Sequence, residues 1–348
     1  MKIHEKYMAR CIELAKKGLG NTYPNPLVGA VIVYKDQIIG EDYHHKAGEA
    51  HAEVNAINAV KDQELLKKST IYVSLEPCSH YGKTPPCANL IIDKGIPNVV
   101  IGHVDPFAEV AGRGIKKLFE AGCHVRVGVL ENECANLNKR FFCFHQKQRP
   151  YIILKWAQTA DGFIAPGYQN NGEIFWISNA YAKQMVHQWR TQEAAILVGT
   201  ATALKDNPQL SARHWHGKQP TRLVINRDLQ LPETLQIFDQ SQPTFIFHDI
   251  SLNKVSQKNL SYIPIDFSKN VINQILKQLY QENLQSVIIE GGQNTLQHFI
   301  DENLWDEARI FESQSKLKSG IKSPKFKTEP SKTLKILDNQ LKYHYNED

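Results

Sequence analysis

The sequence predicts an α/β protein built as two domains in tandem. Three observations carry that expectation. In both halves, short aliphatic and β-branched runs alternate with segments of helical period, the pattern of βα units over a largely parallel sheet. A length of 348 residues exceeds what one hydrophobic core commonly organises. Between the halves, Gln146-Lys147-Gln148-Arg149-Pro150 is polar and closes on a proline, which sets the expected domains at 1–147 and 148–348.

In the first half, Tyr7, Met8, Cys11, Ile12 and Ala15 fall at helical spacing within residues 4–17, and Gly18 and Gly20 stop the run. Thr22-Tyr23-Pro24-Asn25-Pro26 reads as a rigid loop. Val28 to Val33 and Gln37 to Tyr43 flank Lys35-Asp36 as a hairpin. A helix is expected from His51 to Val60, a buried strand over 70–75, and a helix from Cys87 through Lys94. Strand, helix and strand follow at Asn98 to Val104, Gly112 to Ala121 and His124 to Val129, with a closing helix over 131–145. A hairpin followed by α-β units predicts a three-layer domain.

The second half opens with a strand over 151–157 that runs into Thr159-Ala160-Asp161-Gly162. A helix is expected near Asn179 to Arg190, then strands at Ala194 to Val198, Thr221 to Asn226, Thr244 to Phe247 and Ser286 to Ile289. The last strand meets Glu290-Gly291-Gly292-Gln293-Asn294-Thr295 and a helical run to Ile300. A strand, a glycine pair and a helix start offer bare backbone N–H groups to a phosphate, although no G-x-G-x-x-G is present. The tail over 313–348 is Lys-rich with one apolar stretch, Leu334 to Leu337, and reads as a final hairpin.

A net charge of +5 is mild for this length and favours small anionic ligands. No stretch interleaves Lys and Arg with aromatics as an RNA platform does, which argues against a nucleic-acid module. The polar start lacks an apolar signal core, and no apolar run reaches the ~18 residues of a spanning helix, so a cytoplasmic protein off the membrane is expected. Six cysteines in so long a chain do not form a disulfide framework; Cys11, Cys123, Cys134 and Cys143 are expected as reduced thiols.

The chemistry gathers at His51-Ala52-Glu53, Pro77-Cys78 and Cys87. One imidazole and two thiolates give zinc three protein ligands and leave its fourth position open, as in a catalytic site. Bound zinc lowers the pKa of water towards neutrality. If His51 opens its helix, Glu53 lies ~200° further round, unligated and free to carry protons. H-x-E with P-C-x-x-C marks the zinc-dependent nucleobase deaminases, though here eight residues, not two, separate the cysteines.

Longer stretches sharpen this. Thr22-Tyr23-Pro24-Asn25-Pro26-Leu27-Val28-Gly29-Ala30, His44-x-Lys46-Ala47-Gly48, His51-Ala52-Glu53-Val54-Asn55-Ala56 and Leu75-Glu76-Pro77-Cys78-Ser79-His80-Tyr81-Gly82-Lys83-Thr84-Pro85-Pro86-Cys87 resemble the deaminase half of the bifunctional RibD family of riboflavin biosynthesis. The long cysteine loop separates that family from its tRNA and cytidine deaminase relatives. The resemblance implies a cytidine-deaminase-like first domain that removes the 2-amino group from a diaminopyrimidinone carrying a phosphoribosylamino arm. It implies zinc on His51, Cys78 and Cys87, proton transfer by Glu53, and substrate contacts at Asn25, His44, His80 and Lys83. Lys83 suits the phosphate.

In the second half, Lys155-x-Ala157-x-x-x-Asp161-Gly162, Trp176-Ile177-Ser178, Val198-Gly199-x-x-Thr202-x-x-x-Asp206-Asn207-Pro208-x-Leu210-x-x-Arg213 and Glu290-Gly291-Gly292 are similar to the reductase half of the same family, which is dihydrofolate-reductase-like in fold and uses NADPH. That implies cofactor contacts at Ala157, Trp176, Thr202, Asp206, Gly292, Gln293, Asn294 and Thr295, and substrate contacts at Lys155, Arg190, Leu210, Arg213 and Glu290. The planar guanidinium groups of Arg190 and Arg213 suit a ribose phosphate. The implied reaction moves a hydride to the anomeric carbon of the ribosylamino group, with the protein supplying orientation. The chain departs from the family pattern at Phe107, where Asn is usual, and at Ile174, where Ser is usual and could donate to a phosphate. Arg227, after the strand Thr221 to Asn226, is a candidate reader of the NADP 2′-phosphate. The family also implies self-association. The enzyme alternative, a free-base or tRNA deaminase with an inert second domain, is opposed by the cysteine loop and by the match in both halves; a paralogue retaining only the fold is the remaining one.

Overall fold

The computed structural model describes residues 2–79, 85–106, 112–167 and 175–346. The chain divides into two compact units, Met1–Gln148 and Arg149–Asp348.

The first unit runs α1 (Lys2–Lys16), β1 (Gly29–Tyr34), β2 (Gln37–Tyr43), α2 (Ala52–Ala59), β3 (Thr70–Leu75), α3 (Cys87–Asp93), β4 (Asn98–His103), α4 (Arg113–Glu120), β5 (His124–Val127), α5 (Glu131–Leu137) and α6 (Lys139–Lys147). Its sheet has the order β2-β1-β3-β4-β5. β1 is antiparallel to both neighbours, and β3, β4 and β5 are parallel. Lys35 and Asp36 at the hairpin both have positive φ, 48° and 61°, the twist a tight two-residue turn needs. Side chains alternate across the sheet. Ala30, Ile32, Ile71, Val73, Val99 and Ile101 pack with α2, α3 and α4, whereas Val31, Val33, Tyr72 and Val100 pack with α1 and Cys134 of α5. Burial on both faces explains why β1, β3 and β4 read as continuous apolar runs.

The expected closing helix is two helices. It breaks at Asn138, whose side chain accepts from Leu27 N at 2.8 Å and donates to Leu27 O at 2.9 Å. The loop leading to the site is thereby tied to the helix junction.

The second unit runs β6 (Tyr151–Gln158), β7 (Phe163–Ala165), α7 (Ala180–Gln192), β8 (Ala195–Gly199), α8 (Thr200–Asp206), β9 (Thr221–Ile225), β10 (Thr244–Asp249), β11 (Leu260–Ile265), α9 (Val271–Gln281), β12 (Ser286–Gly291), α10 (Gln293–Asp301), β13 (Glu307–Ser313), β14 (Ile321–Lys322), β15 (Lys332–Ile336) and β16 (Asn339–Tyr345). The main sheet has the order β11-β10-β9-β8-β12-β6-β13-β16-β15. It is parallel from β11 to β13, and the tail hairpin adds antiparallel to β13, as expected. α9 and α10 cover one face through Ile272, Ile275, Leu276, Leu279, Leu296 and Phe299; burying each such side chain contributes about 1.5–3 kcal/mol. Trp189 of α7 stacks on Phe311 of β13, with ring centroids 5.5 Å apart.

β7, α8, β11, α9, β13 and β14 were not legible as such, and three of them show why. β11 contains Pro264, which an edge strand tolerates. α9 carries the i, i+3, i+4 pattern but follows a polar stretch. β13 places Glu307 and Arg309 on its buried face, where Arg309 Nε donates to Glu307 Oε1 at 2.7 Å and Nη2 lies 3.5 Å from Glu193 Oε1. Charged residues at core positions hide a strand until their partners are known.

Candidate active sites

In the first unit, the atoms His51 Nδ1, Cys78 Sγ and Cys87 Sγ all lie within 4.8 Å of one another. The His51 nitrogen is 3.7 Å from Cys78 Sγ and 3.3 Å from Cys87 Sγ. Each ligand comes from the edge of an element. His51 caps α2 in an extended conformation, φ −72° and ψ 163°. Cys78 follows β3, and Cys87 opens α3. The backbone N–H of Cys87 donates to Cys78 Sγ at 3.3 Å, and Ala88 N donates to Cys78 O at 3.1 Å. The Cys87 thiol, the imidazole and that N–H hold the Cys78 thiol down at about 4, while the neighbouring Cys78 thiolate and burial push Cys87 well up. One nitrogen and two sulfurs at this spacing fit a soft-to-borderline cation such as zinc.

The helical estimate of where Glu53 points needs correction, since His51 lies outside the helix and no 100° step separates it from Ala52. Glu53 is nonetheless buried at 3% exposure beside the trio, and its Oε2 has no hydrogen-bond partner. Burial pushes its carboxyl up to about 7. His44 lies edge-on to His51, with ring centroids 5.3 Å apart. Its Nδ1 donates to Ala50 O at 3.0 Å, which leaves Nε2 to accept from Asn25 Nδ2 at 3.0 Å. Burial keeps this imidazole neutral by lowering its pKa. Asn25 and His44 are thus brought to the trio. His80, Lys83 and Phe107 lie outside the described residues.

Glu76 was quoted in the motif but given no role. Its buried carboxylate accepts from the backbone N–H groups of Asp105, Gly112, Gly114 and Ile115, at 2.9 to 3.3 Å. Two residues before Cys78, it anchors the ligand loop to the start of α4. Its position inside Leu75-Glu76-Pro77-Cys78 was the available signal.

In the second unit, Glu290 lies in the last two residues of β12 and Lys155 lies on the adjacent β6. Arg190 of α7 grips Glu290 with both arms of its guanidinium, Nε to Oε1 at 3.1 Å and Nη2 to Oε2 at 2.8 Å. Lys155 Nζ is 4.0 Å from Glu290 Oε2. Arg190 Nη1 also donates to Ser211 O at 3.0 Å, which draws the segment carrying Leu210 and Arg213 to the same place. Leu210 is buried and has φ 54°. Burial opposes ionisation of Glu290, but Arg190 and Lys155 hold it down at about 2.

The glycine-rich turn after Glu290 packs on α8. A Cβ on Gly292 would sit 3.1 Å from Thr202 Oγ1, and one on Gly199 would sit 2.5 Å from Thr295 Oγ1. Gly291 has φ 121°, where other residues are strained. Gly292 caps α10 with no side-chain hydrogen bond, so the first N–H groups of Gln293, Asn294 and Thr295 remain for a ligand. Thr202, Gly292 and Thr295 are therefore together, with Asp206 at the far end of α8. Trp176 is 56% exposed under Lys183, whose Nζ is 4.3 Å from the ring centroid. Ala157, on β6, pairs with Phe311 of β13. Arg227 is exposed, 3.6 Å from Asp228. Ile174 lies outside the described residues.

Comparison with known proteins falls on the same division. Residues 1–103 match the cytidine and deoxycytidylate deaminase zinc-binding region, and residues 150–313 match the RibD C-terminal domain. The riboflavin biosynthesis protein RibD of Aquifex aeolicus is 38% identical over 312 residues, 89% of this chain and 86% of that one. The RibD of Actinobacillus pleuropneumoniae is 42% identical over 295 residues, 82% and 77% of the two chains. A diaminohydroxyphosphoribosylaminopyrimidine deaminase/5-amino-6-(5-phosphoribosylamino)uracil reductase from Thermotoga maritima superposes with a TM-score of 0.90 over 98% of both chains, at 35% identity. Fold and matches define the class: a zinc-binding, cytidine-deaminase-like domain followed by a dihydrofolate-reductase-like domain, hence an enzyme of two activities. The chain belongs to the RibD family, the bifunctional deaminase/reductases of riboflavin biosynthesis. Among the described residues, no helix is long and apolar enough to cross a membrane.

Proposed function

We propose that residues 1–147 deaminate 2,5-diamino-6-(5-phosphoribosylamino)pyrimidin-4-one and residues 148–348 reduce the ribosyl arm of the product, giving 5-amino-6-(5-phosphoribitylamino)uracil. One observation carries the reading: His51, Cys78 and Cys87 converge beside a buried Glu53 whose Oε2 is unpartnered. These three side chains would hold zinc. When bound there, zinc supplies a Lewis acid that lowers the pKa of water to near 7.

Glu53 takes the first proton from the attacking water and gives it to a ring nitrogen as the oxygen bonds to the ring carbon. It then moves the second proton to the leaving amine. The carbon–nitrogen bond breaks as the carbonyl forms, and ammonia departs. Asn25, whose amide donates to His44, has its Oδ1 free to accept from the pyrimidine amine. His80 and Lys83 complete the substrate contacts in this reading, with Lys83 on the phosphate.

In the second site, Arg190 and Arg213 hold the ribose phosphate, while Lys155, Glu290 and Leu210 fix the ribosyl carbon. NADPH binds along Ala157, Trp176, Thr202, Asp206 and the turn Gly292 to Thr295, with its pyrophosphate on the open N–H groups of α10 and its 2′-phosphate on Arg227. When bound, it supplies the hydride; the bond from the anomeric carbon to the ring oxygen breaks, the hydride goes to that carbon and a proton from solvent goes to the freed oxygen. The enzyme is read as cytoplasmic and self-associating; sedimentation velocity tests the latter.

The experiment is one assay of the purified protein with the diaminopyrimidinone substrate and NADPH, with and without a zinc chelator. Chelation is expected to stop ammonia release while NADPH oxidation persists on the pre-formed deaminated intermediate. Loss of both together would remove the division into two sites.

A further inference from the structure

We propose that His187 is a positioning residue of the reductase site, facing the substrate's phosphate between Arg190 and Arg213 and taking up a proton when that dianion lands. The inference rests on reading those two arginines as the phosphate's partners. His187 lies on the buried face of α7, one turn before Arg190, and is 2% exposed. Its Nδ1 has no hydrogen-bond partner. A buried imidazole ordinarily finds a hydrogen-bond partner, as His248 does at Asp249 O; His187 and His344 are the buried histidines with an unpartnered ring nitrogen among the described residues, and of the two only His187 stands beside Arg190. His187 meets the edge of His214, with ring centroids 4.6 Å apart and planes at 85°.

The charges around it are strongly one-sided. Arg190 lies one turn further along the same helix and is bonded to Glu290 of β12 and to Ser211 O, and the segment that follows Ser211 carries Arg213 and the His214 ring that meets His187; the charges of all four act on the imidazole. Lys155 and Lys183 stand one step further out, against Glu290 and His214. Among the described residues Arg213 has no ion-pair partner. Arg190, Arg213 and Lys155 against Glu290 leave two positive charges in excess. A phosphate monoester carries about −1.5 to −2 near neutrality and matches that excess.

In the free protein, burial and these cations push His187 down to about 4, so the ring is neutral. A dianion placed among the same groups reverses the local field and favours the imidazolium. Its folded, ligand-free value lies below its ligand-bound one, so anion binding tightens as pH falls through the bound value. Phosphate loses charge itself below about pH 6; inorganic sulfate stays a dianion and isolates the protein's own proton.

The test is an NMR titration of the full chain, labelled with 13C at histidine Cε1, over about pH 5 to 8. It is run alone, with inorganic sulfate and with ribose 5-phosphate, and His187→Asn assigns the signal. The His187 resonance is expected to be flat in the free protein and to acquire a midpoint in this window with either anion. In steady state, His187→Asn should raise the reductase KM about tenfold, keep kcat within about twofold, and flatten the pH dependence of KM. Should His187→Asn fail to fold, His214→Gln at the exposed neighbour assigns the signal through the lost ring current. If the anions bind and depend on Arg213 but the His187 resonance stays flat, the proposal is overturned and the phosphate reading stands. If neither anion binds, or Arg213→Gln binds them as the native chain does, the phosphate reading fails and takes the proposal with it.

Discussion

Each unit sets a largely desolvated glutamate in its site, Glu53 and Glu290, and the two are held in opposite states. Glu53 has no cation committed to it, one carboxylate oxygen is unpartnered, and burial pushes it up to about 7. Glu290 is also desolvated, yet Arg190 and Lys155 outweigh that penalty and hold it down at about 2. Burial is common to both, so the difference lies in their neighbours. A carboxyl poised near neutrality can accept and return protons during a reaction; one locked in ion pairs anchors other side chains.

The largest expected effect separates the two units outright. Chelation should abolish ammonia release and leave reduction of the deaminated intermediate within about twofold, read by ammonia and NADPH absorbance. Cys87→Ser should lower the zinc content measured by emission spectroscopy, and full occupancy would show the ligand set to be wrong. Next, Glu53→Gln should lower deamination about 10²- to 10⁴-fold with zinc retained; near-normal turnover would place the proton carrier elsewhere. No loss of stability is expected, since no cation depends on Glu53.

Glu290→Gln should behave in the opposite way. It leaves Arg190 and Lys155 buried without their counter-charge, at a cost of about 3–5 kcal/mol in denaturant unfolding. Glu290 has a depressed folded value, so its contribution is complete above the ordinary 4.5 and is lost as pH falls through about 2. The variant's acid-unfolding curve should therefore be flatter than the native one over that window. Equal slopes would mean the two carboxylates differ less than their surroundings indicate. The smallest effect is cofactor choice: NADPH should raise the melting temperature more than NADH, and Arg227→Ala should narrow the gap, whereas equal shifts would undo the assignment.

Much of the architecture was legible in the chain. β1, β3 and β4 announce themselves as apolar runs because they are covered on both sides, and the hairpin turn is written in Lys35-Asp36. β13 was not legible, since Glu307 and Arg309 look like surface residues until Glu193 and each other are found nearby. The break at Asn138 depends on Leu27, 111 positions away. Glu76 looked like a motif letter until four backbone N–H groups were found on it.

The sequence by itself determined the donor atoms and the family: an imidazole and two thiols are fixed by residue identity, whatever surrounds them. Tertiary structure decided which of those groups carries a proton, which carboxylate is free and which is tied, and where an imidazole is left without a partner. The physical reason is that charge states are set by burial and by neighbours within a few ångströms. Those neighbours, such as Arg190 and Glu290 at 100 positions apart, meet only in the folded chain.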